Sequence, residues 1–261
     1  MEKGTLLLKV EDLSVGYGDM VVLKEINMVL YEGESVVVFG SNGSGKSTLL
    51  RTIAGLLKPW KGSIRFKDRN ISEVSPYDRL KLGIALASDT KNLFLDMTVE
   101  ENLTLGAYTK RRDFKDRLEK IYHFFPELAQ VRRKLAGDLS GGFQRMLSIG
   151  RALMSKPVLL MIDELSLGLS PKVVDRLGET LREISTKEGV SLLVVEQEIY
   201  LAKLLCKRGY VLDLGSLVAE GDVEELLSKD VVRKAYMVSP QKEGLFILLK
   251  NAHIQPFLRY F

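Results

Sequence analysis

The apolar positions of this chain change their spacing twice. In the first forty residues short apolar runs alternate with turns. Leu6-Leu7-Leu8-Lys9-Val10, Val21-Val22-Leu23 and Val36-Val37-Val38-Phe39 read as strands, broken by Gly16, Gly18 and Gly33. The Ser35–Phe39 run is continuously apolar after its first residue, which predicts a central strand buried on both faces. Lys46 to Ala54 then takes up helical spacing, with Leu49, Leu50 and Ile53 on one face and Gly55 as the stop. A turn at Lys58–Gly62 leads into a strand at Ser63–Phe66.

From about Met97 to Leu153 the strand pattern gives way to helices. Thr98 followed by Glu101 is a capping-box signature for Val99–Tyr108. Phe114–Phe125 carries Leu118, Ile121, Tyr122 and Phe125 on one face and stops at Pro126. Strands return at Val158–Ile162 and Ser191–Val195, with a helix at Pro171–Glu188 between them. Strand, helix, strand predicts a parallel sheet. The expected fold is an α/β core interrupted by a helical insertion of about 60 residues.

Composition narrows the class. Apolar residues make up 46% and charged residues 28%, enough of each for an ordinary folded domain and too apolar for wholesale disorder. No apolar run is long enough to span a bilayer, and the Met1-Glu2-Lys3 start does not read as a secretory leader. One cysteine, Cys206, excludes an internal disulfide framework, and it falls in an apolar helical stretch that predicts burial. Basic and acidic residues nearly balance, 38 against 34, so no general nucleic-acid footprint is expected. His123, His253 and Cys206 are too few and too scattered to form a zinc site. His123 is expected beside core aromatics, without a catalytic part.

Two segments carry the chemistry. Gly40-Ser41-Asn42-Gly43-Ser44-Gly45-Lys46-Ser47-Thr48 satisfies G-x-x-x-x-G-K-[ST] between an apolar strand and an amphipathic helix. Glycines let successive N–H groups curl inward toward phosphate oxygens, and the helix adds its positive end. Lys46 is placed for the β and γ phosphates, Ser47 for Mg²⁺ and Thr48 for a phosphate oxygen. Pro157–Glu164 is an apolar strand ending in two carboxylates, at the sheet edge where α/β proteins bind ligands. Asp163 suits Mg²⁺ or its water shell; Glu164 suits orienting or deprotonating a water. A third segment, Leu139-Ser140-Gly141-Gly142-Phe143, precedes a long helical run. It reads either as a plain N-cap or as a second anion cradle.

The phosphate loop, Leu-Ser-Gly-Gly ahead of a helix, and the strand ending Asp-Glu, in that order, resemble the ATP-binding subunit of ABC transporters. The likeness covers residues 6–237. Gly55–Pro59, Thr98–Leu103, Ile149–Met154, Ser166–Pro171, Val195-Glu196-Gln197 and Arg208–Leu212 resemble the branched-chain amino-acid uptake subgroup. The resemblance implies an ABC ATPase fold of the P-loop NTPase class, with an antiparallel β subdomain. Residues 1–90 and 155–237 would form the core, 91–154 an α-helical subdomain, and 238–261 a tail extension. It implies ATP and Mg²⁺ as ligands, with Tyr17 stacking on adenine and Ser47, Asp163 and Asp89 at the metal. Glu164, Gln197 and Asp89 would serve hydrolysis. Ser140, Gly141 and Gly142 would cover ATP held by a partner's phosphate loop, in a homodimer or a heterodimer with a second ABC ATPase. Membrane-spanning permease subunits, and indirectly a solute-binding protein, would complete an importer at the cytoplasmic face of the membrane.

Five positions depart from the usual family template. Phe143 replaces a polar residue, Asp89 a glutamine, Leu165 a proline, Ser170 an aspartate and Gln197 a histidine; the branched-chain subgroup itself often carries Glu-Gln at 196–197. The expected function is ATP hydrolysis powering uptake of branched-chain amino acids. The alternatives are a slow or non-hydrolysing ATP-gated clamp, or an importer ATPase for urea, amides or other amino acids. A chromosome-organising or DNA-repair relative would need a long coiled coil that the short Lys46–Ser140 interval lacks, and a P-loop kinase gives Leu-Ser-Gly-Gly no role. Lys110-Arg111-Arg112 and Arg132-Arg133-Lys134 read as solvated faces or as contacts for anionic headgroups. The apolar tail runs Gly244–Leu249 and Phe257–Phe261 are expected to pack on the core or on a partner.

Overall fold

The computed structural model describes residues 4–88, 92–108 and 113–228. Asp89, Lys110-Arg111-Arg112, His253 and the tail at 238–261 lie outside the described residues. In chain order the strands are β1 (Leu6–Tyr17), β2 (Met20–Tyr31), β3 (Ser35–Phe39), β4 (Lys61–Phe66), β5 (Arg69–Asn70), β6 (Ile84–Ala87), β7 (Leu159–Asp163), β8 (Ser191–Glu196), β9 (Arg208–Asp213) and β10 (Ser216–Asp222). The helices are α1 (Lys46–Ile53), α2 (Pro76–Leu82), α3 (Val99–Gly106), α4 (Phe114–Phe124), α5 (Pro126–Gln130), α6 (Gly141–Leu153), α7 (Pro171–Glu188), α8 (Ile199–Leu205) and α9 (Val223–Ser228).

The strands form two sheets. One is antiparallel, in the order β2-β1-β4-β5; the other has the order β10-β9-β3-β8-β7-β6. In the second sheet β9, β3, β8, β7 and β6 run parallel, and β10 closes the edge antiparallel to β9. The expected β7–α7–β8 unit is present, its strands adjacent and parallel.

Strand alternation splits the core in two. Val37 and Phe39 join Leu160, Ile162, Leu192 and Val194 in a cluster with α3 to α7. Val36 and Val38 join Leu159, Met161, Leu193 and Val195 in a cluster with α1 and the antiparallel sheet. Both faces of β3 are therefore covered, the physical reason its pattern is continuously apolar. The helical segment between β6 and β7 packs through α3 on α6, with Leu103, Ile121, Leu128 and Ile149 buried. Thr98 and Glu101 form the complete capping box that the sequence predicts.

The long strands differ from the sequence expectation. Gly16 lies inside β1 rather than ending a strand, because a Cβ there would sit 1.9 Å from the Met20 carbonyl oxygen of the paired strand. Only Gly18 and Gly33, both at positive φ, occupy the turns.

Candidate nucleotide site

The phosphate loop connects β3 to α1. Gly45 stands at the helix N-cap with φ 108°, a conformation open to glycine and costly to other residues. Behind it is side chain: a Cβ at Gly45 would lie 2.6 Å from Leu23 Cδ2, so β2 packs directly against the start of α1. That same strand pairs with β1, at whose end stands Tyr17, opposite Met20 and 41% exposed. The Gly215 amide donates to the Ser44 carbonyl at 3.1 Å, bracing the loop from the β9–β10 turn. Ser44 Oγ is buried without a hydrogen-bond partner, an unsatisfied polar atom in a loop of the anion-cradling type.

Lys46 is the best-held side chain of the site. It is 4% exposed, and its Nζ donates to the Gly40 and Ser41 carbonyls at 3.0 Å each. Glu164 Oε1 lies 3.4 Å from the same Nζ. The ammonium is thus surrounded by oxygens where the sequence expects phosphate oxygens. Thr48 is buried, and its carbonyl accepts from Thr52 Oγ1 at 2.7 Å.

The carboxyl end of β7 delivers the acidic pair. Ser47 Oγ donates to Asp163 Oδ1 at 3.0 Å, bringing together the two oxygens assigned to Mg²⁺. Burial pushes the Asp163 carboxyl above its ordinary range, against the opposing pull of the Ser47 hydrogen bond. Hard oxygen donors on a helix start and a strand end suit Mg²⁺, so the residues present fit the ion. Glu164 takes φ 46°, and its amide donates to the Val195 carbonyl at 3.0 Å. Gln197 Nε2 donates to Glu164 Oε1 at 2.9 Å and also to Asn42 Oδ1. Asn42, Lys46, Glu164 and Gln197 are therefore one connected group, and the Ser47–Asp163 pair stands beside it through the chain neighbours Lys46 and Glu164.

Ser140 stands apart from that group. It occupies the N-cap of α6, is exposed, and its side chain makes no capping hydrogen bond. Of the two sequence readings, the plain side-chain cap is not realised, and the first amides of a thirteen-residue helix lie near the surface beside Gly141 and Gly142. Phe143 does not occlude them; it packs against the helical-side core, while Gln144 Nε2 donates to the Ala136 carbonyl at 3.0 Å. Leu165 is wholly buried, and Ser170 caps α7 by position only.

Two residues escaped sequence reasoning. Arg145 is buried and reaches back with Nη1 to the Asp163 carbonyl at 3.3 Å, linking α6 to the end of β7. Glu196 is 1% exposed at the end of β8; its signal was a carboxylate closing a wholly apolar run, the same signal that marked Asp163. Cys206 is buried as expected, whereas His123 meets Phe124 edge-on from an exposed position.

The family model for ABC transporters matches residues 23–166. The high-affinity branched-chain amino acid transport ATP-binding protein BraG of Pseudomonas aeruginosa is 37% identical over 232 residues, 88% of this chain and 99% of that one. A probable branched-chain amino acid transport ATP-binding protein, LivF of Archaeoglobus fulgidus, is 34% identical over 88% of this chain and 98% of its own length. Among solved structures, a nucleotide-free ATP-binding cassette from an ABC transporter superposes with a TM-score of 0.81 at 27% identity, covering 90% of this chain and all of that one. A dimeric bacterial ABC transporter cassette superposes at 0.76 with 25% identity, over 83% of this chain and 99% of its own.

Proposed function

This chain belongs to the ABC transporter family, and from that premise we propose that it is the ATP-hydrolysing subunit of an importer, with branched-chain amino acids as the solute class. The observation that carries the proposal is the connected group Lys46–Glu164–Gln197 beside the Ser47–Asp163 pair. A cation for phosphate, an oxygen pair for Mg²⁺ and a carboxylate held by an amide are the parts that phosphoryl transfer to water requires. Bound Mg²⁺ would neutralise charge on the transferring phosphate. Glu164 orients and deprotonates the attacking water; Gln197 holds Glu164 and, as a neutral donor, contacts the γ-phosphate. Tyr17, 41% exposed, would stack on adenine, and Asp89, which lies outside the described residues, would serve at the metal.

The exposed start of α6 supports a paired arrangement. Ser140 and Gly141 are exposed at the start of α6, where the first helix amides could take an anion held by another chain. Two such chains placed head to tail complete two sites, and γ-phosphate contacts from both would drive closure. A solved relative of this fold is described as dimeric. The helical segment at 91–154 would carry the membrane partner. Phe94, Leu95, Leu105 and Tyr108 are exposed there, and the buried Asn102 holds the Phe94 backbone through Nδ2 and Oδ1. No helix among the described residues is long and apolar enough to cross a membrane, so anchoring falls to such partners.

Branched-chain specificity rests on the similarity to BraG and LivF, which serve branched-chain amino acid transport. The test of hydrolysis is steady-state ATPase activity of the purified chain against Glu164→Gln. Turnover in the parent and its loss by about a hundredfold or more in the variant is expected. Equally low activity in both, alone and with the permease, would make the chain an ATP-gated clamp.

A further inference from the structure

Every residue of β8 is buried, and the strand ends in a carboxylate, Glu196. A buried carboxylate is strongly unfavourable unless it is well hydrogen-bonded. Here the partners are backbone amides from two different loops. The Ser166 amide donates to Oε1 at 2.8 Å, from the segment that follows β7. The Gln197 amide donates to Oε2 at 2.8 Å, from the turn that follows β8, and the Glu198 amide adds to it. One carboxylate therefore clasps the two loops that carry Glu164 and Gln197.

The clasp acts where the backbone is strained. Glu164 sits at φ 46°, a left-handed position that is costly to a non-glycine residue. Such a residue keeps its conformation only when its surroundings over-determine it. The Glu164 amide is fixed by the Val195 carbonyl, and the amide two residues on is fixed by the Glu196 side chain. Leu165, between them, is wholly buried. Successive residues of β8 thus hold both sides of Glu164. The other carboxylate oxygen holds the Gln197 backbone, whose side chain donates to Glu164 Oε1 at 2.9 Å.

We propose that Glu196 is a positioning residue for ATP hydrolysis, fixing both ends of the Glu164–Gln197 hydrogen bond by clasping the Ser166 and Gln197 amides. The proposal rests on Glu164 acting on the attacking water. A buried carboxylate is used rather than an amide because both loops present N–H donors, and only a carboxylate accepts on both oxygens. Glutamine at 196 would turn an NH₂ toward one amide and release one loop.

The experiment is steady-state ATPase kinetics on Glu196→Gln, Glu196→Asp, Glu164→Gln and the 164/196 double Gln variant, with MgADP affinity by calorimetry. A displacement of about 1 Å at a reacting group is worth up to ~10²-fold. Glu196→Gln is expected to lower kcat about 10- to 100-fold, with the KM for ATP and the MgADP affinity held within about twofold of the parent. Should the Gln variant not fold, Glu196→Asp, which keeps the charge but withdraws it by a methylene, is read the same way. In the double variant the loss is expected to equal that of Glu164→Gln alone, because there is no carboxylate left to position. Unchanged kcat in Glu196→Gln, parallel loss of kcat and MgADP affinity, or additive losses in the double variant would overturn the proposal. Wild-type turnover in Glu164→Gln would instead overturn the reading on which it stands.

Discussion

Replacing Gly45 by alanine puts the phosphate loop itself on trial. Gly45 combines a positive φ of 108° with a Cβ position 2.6 Å from Leu23 Cδ2 and 3.4 Å from Val22 Cγ1. Ordinary carbon contacts sit near ~3.5–4.0 Å, so Leu23 must move, and Leu23 is wholly buried with little room to do so. The backbone strain is worth about 1–3 kcal/mol. Overpacking adds about 1–3 kcal/mol, and the stiffer unfolded chain returns at most ~1 kcal/mol. The net cost is about 1–6 kcal/mol, or a fall in Tm of roughly 2–24 °C at about 2–4 °C per kcal/mol. Gly43→Ala is the control. Its φ is 83°, but a Cβ there has nothing within 4 Å, so only the strain of about 1–2 kcal/mol applies. Thermal unfolding with and without MgADP reads both variants. Gly45→Ala should melt lower than Gly43→Ala and lose most of the stabilisation given by MgADP, since the start of α1 is displaced. Equal melting of the two, or full MgADP stabilisation of Gly45→Ala, would refute the packing argument.

Two other outcomes follow from single side chains. The amide of Gln197 does not ionise, so kcat should show no histidine limb; Gln197→His should add an inflection near the ordinary imidazole pKa of ~6.5, and coincident profiles would contradict the contact. Burial pushes the Cys206 thiol well above its ordinary range, the nearby Glu34 charge adding to the shift. Above the ordinary thiol pKa the native chain therefore binds more protons than the unfolded one, so this contribution to stability is intact at neutral pH and is lost as pH rises further. Thiol labelling at pH 8 should be slow in the native protein and fast in denaturant; fast native labelling would contradict the burial.

What was legible in the chain follows from how local the signal is. The phosphate loop is contiguous, so its spacing alone placed Gly40 to Thr48 across the junction of β3 and the start of α1. The burial of β3 on both faces was readable because no polar residue interrupts Val36–Phe39. Asp163 and Glu164 were readable because the strand that carries them is uniformly apolar. Glu196 was given no role by the sequence, because the amides its carboxylate receives come from Ser166 and Gln197, and pairing between separate loops leaves no trace in local spacing. Arg145 was lost for the same reason, reaching β7 from the middle of a helix. The antiparallel sheet was cut too short because Gly16 signals a turn by type, whereas close approach of Met20 places it inside a strand. Arg132 to Lys134 are exposed as expected, but the Arg132 and Lys134 carbonyls also accept from the Glu100 and Val99 amides, which ties this basic segment to the start of α3.

The central claim is that one chain's phosphate loop is completed by another chain's Ser140 cradle. Sedimentation velocity of the Glu164→Gln variant, with and without saturating MgATP, tests it most directly, because a variant slowed in hydrolysis would keep a closed pair together. A monomer that becomes a dimer only with MgATP, and stays monomeric when Ser140→Arg is added although each chain still binds MgATP, is the predicted result. A nucleotide-loaded chain that remains monomeric, or a dimer indifferent to Ser140→Arg, would contradict it.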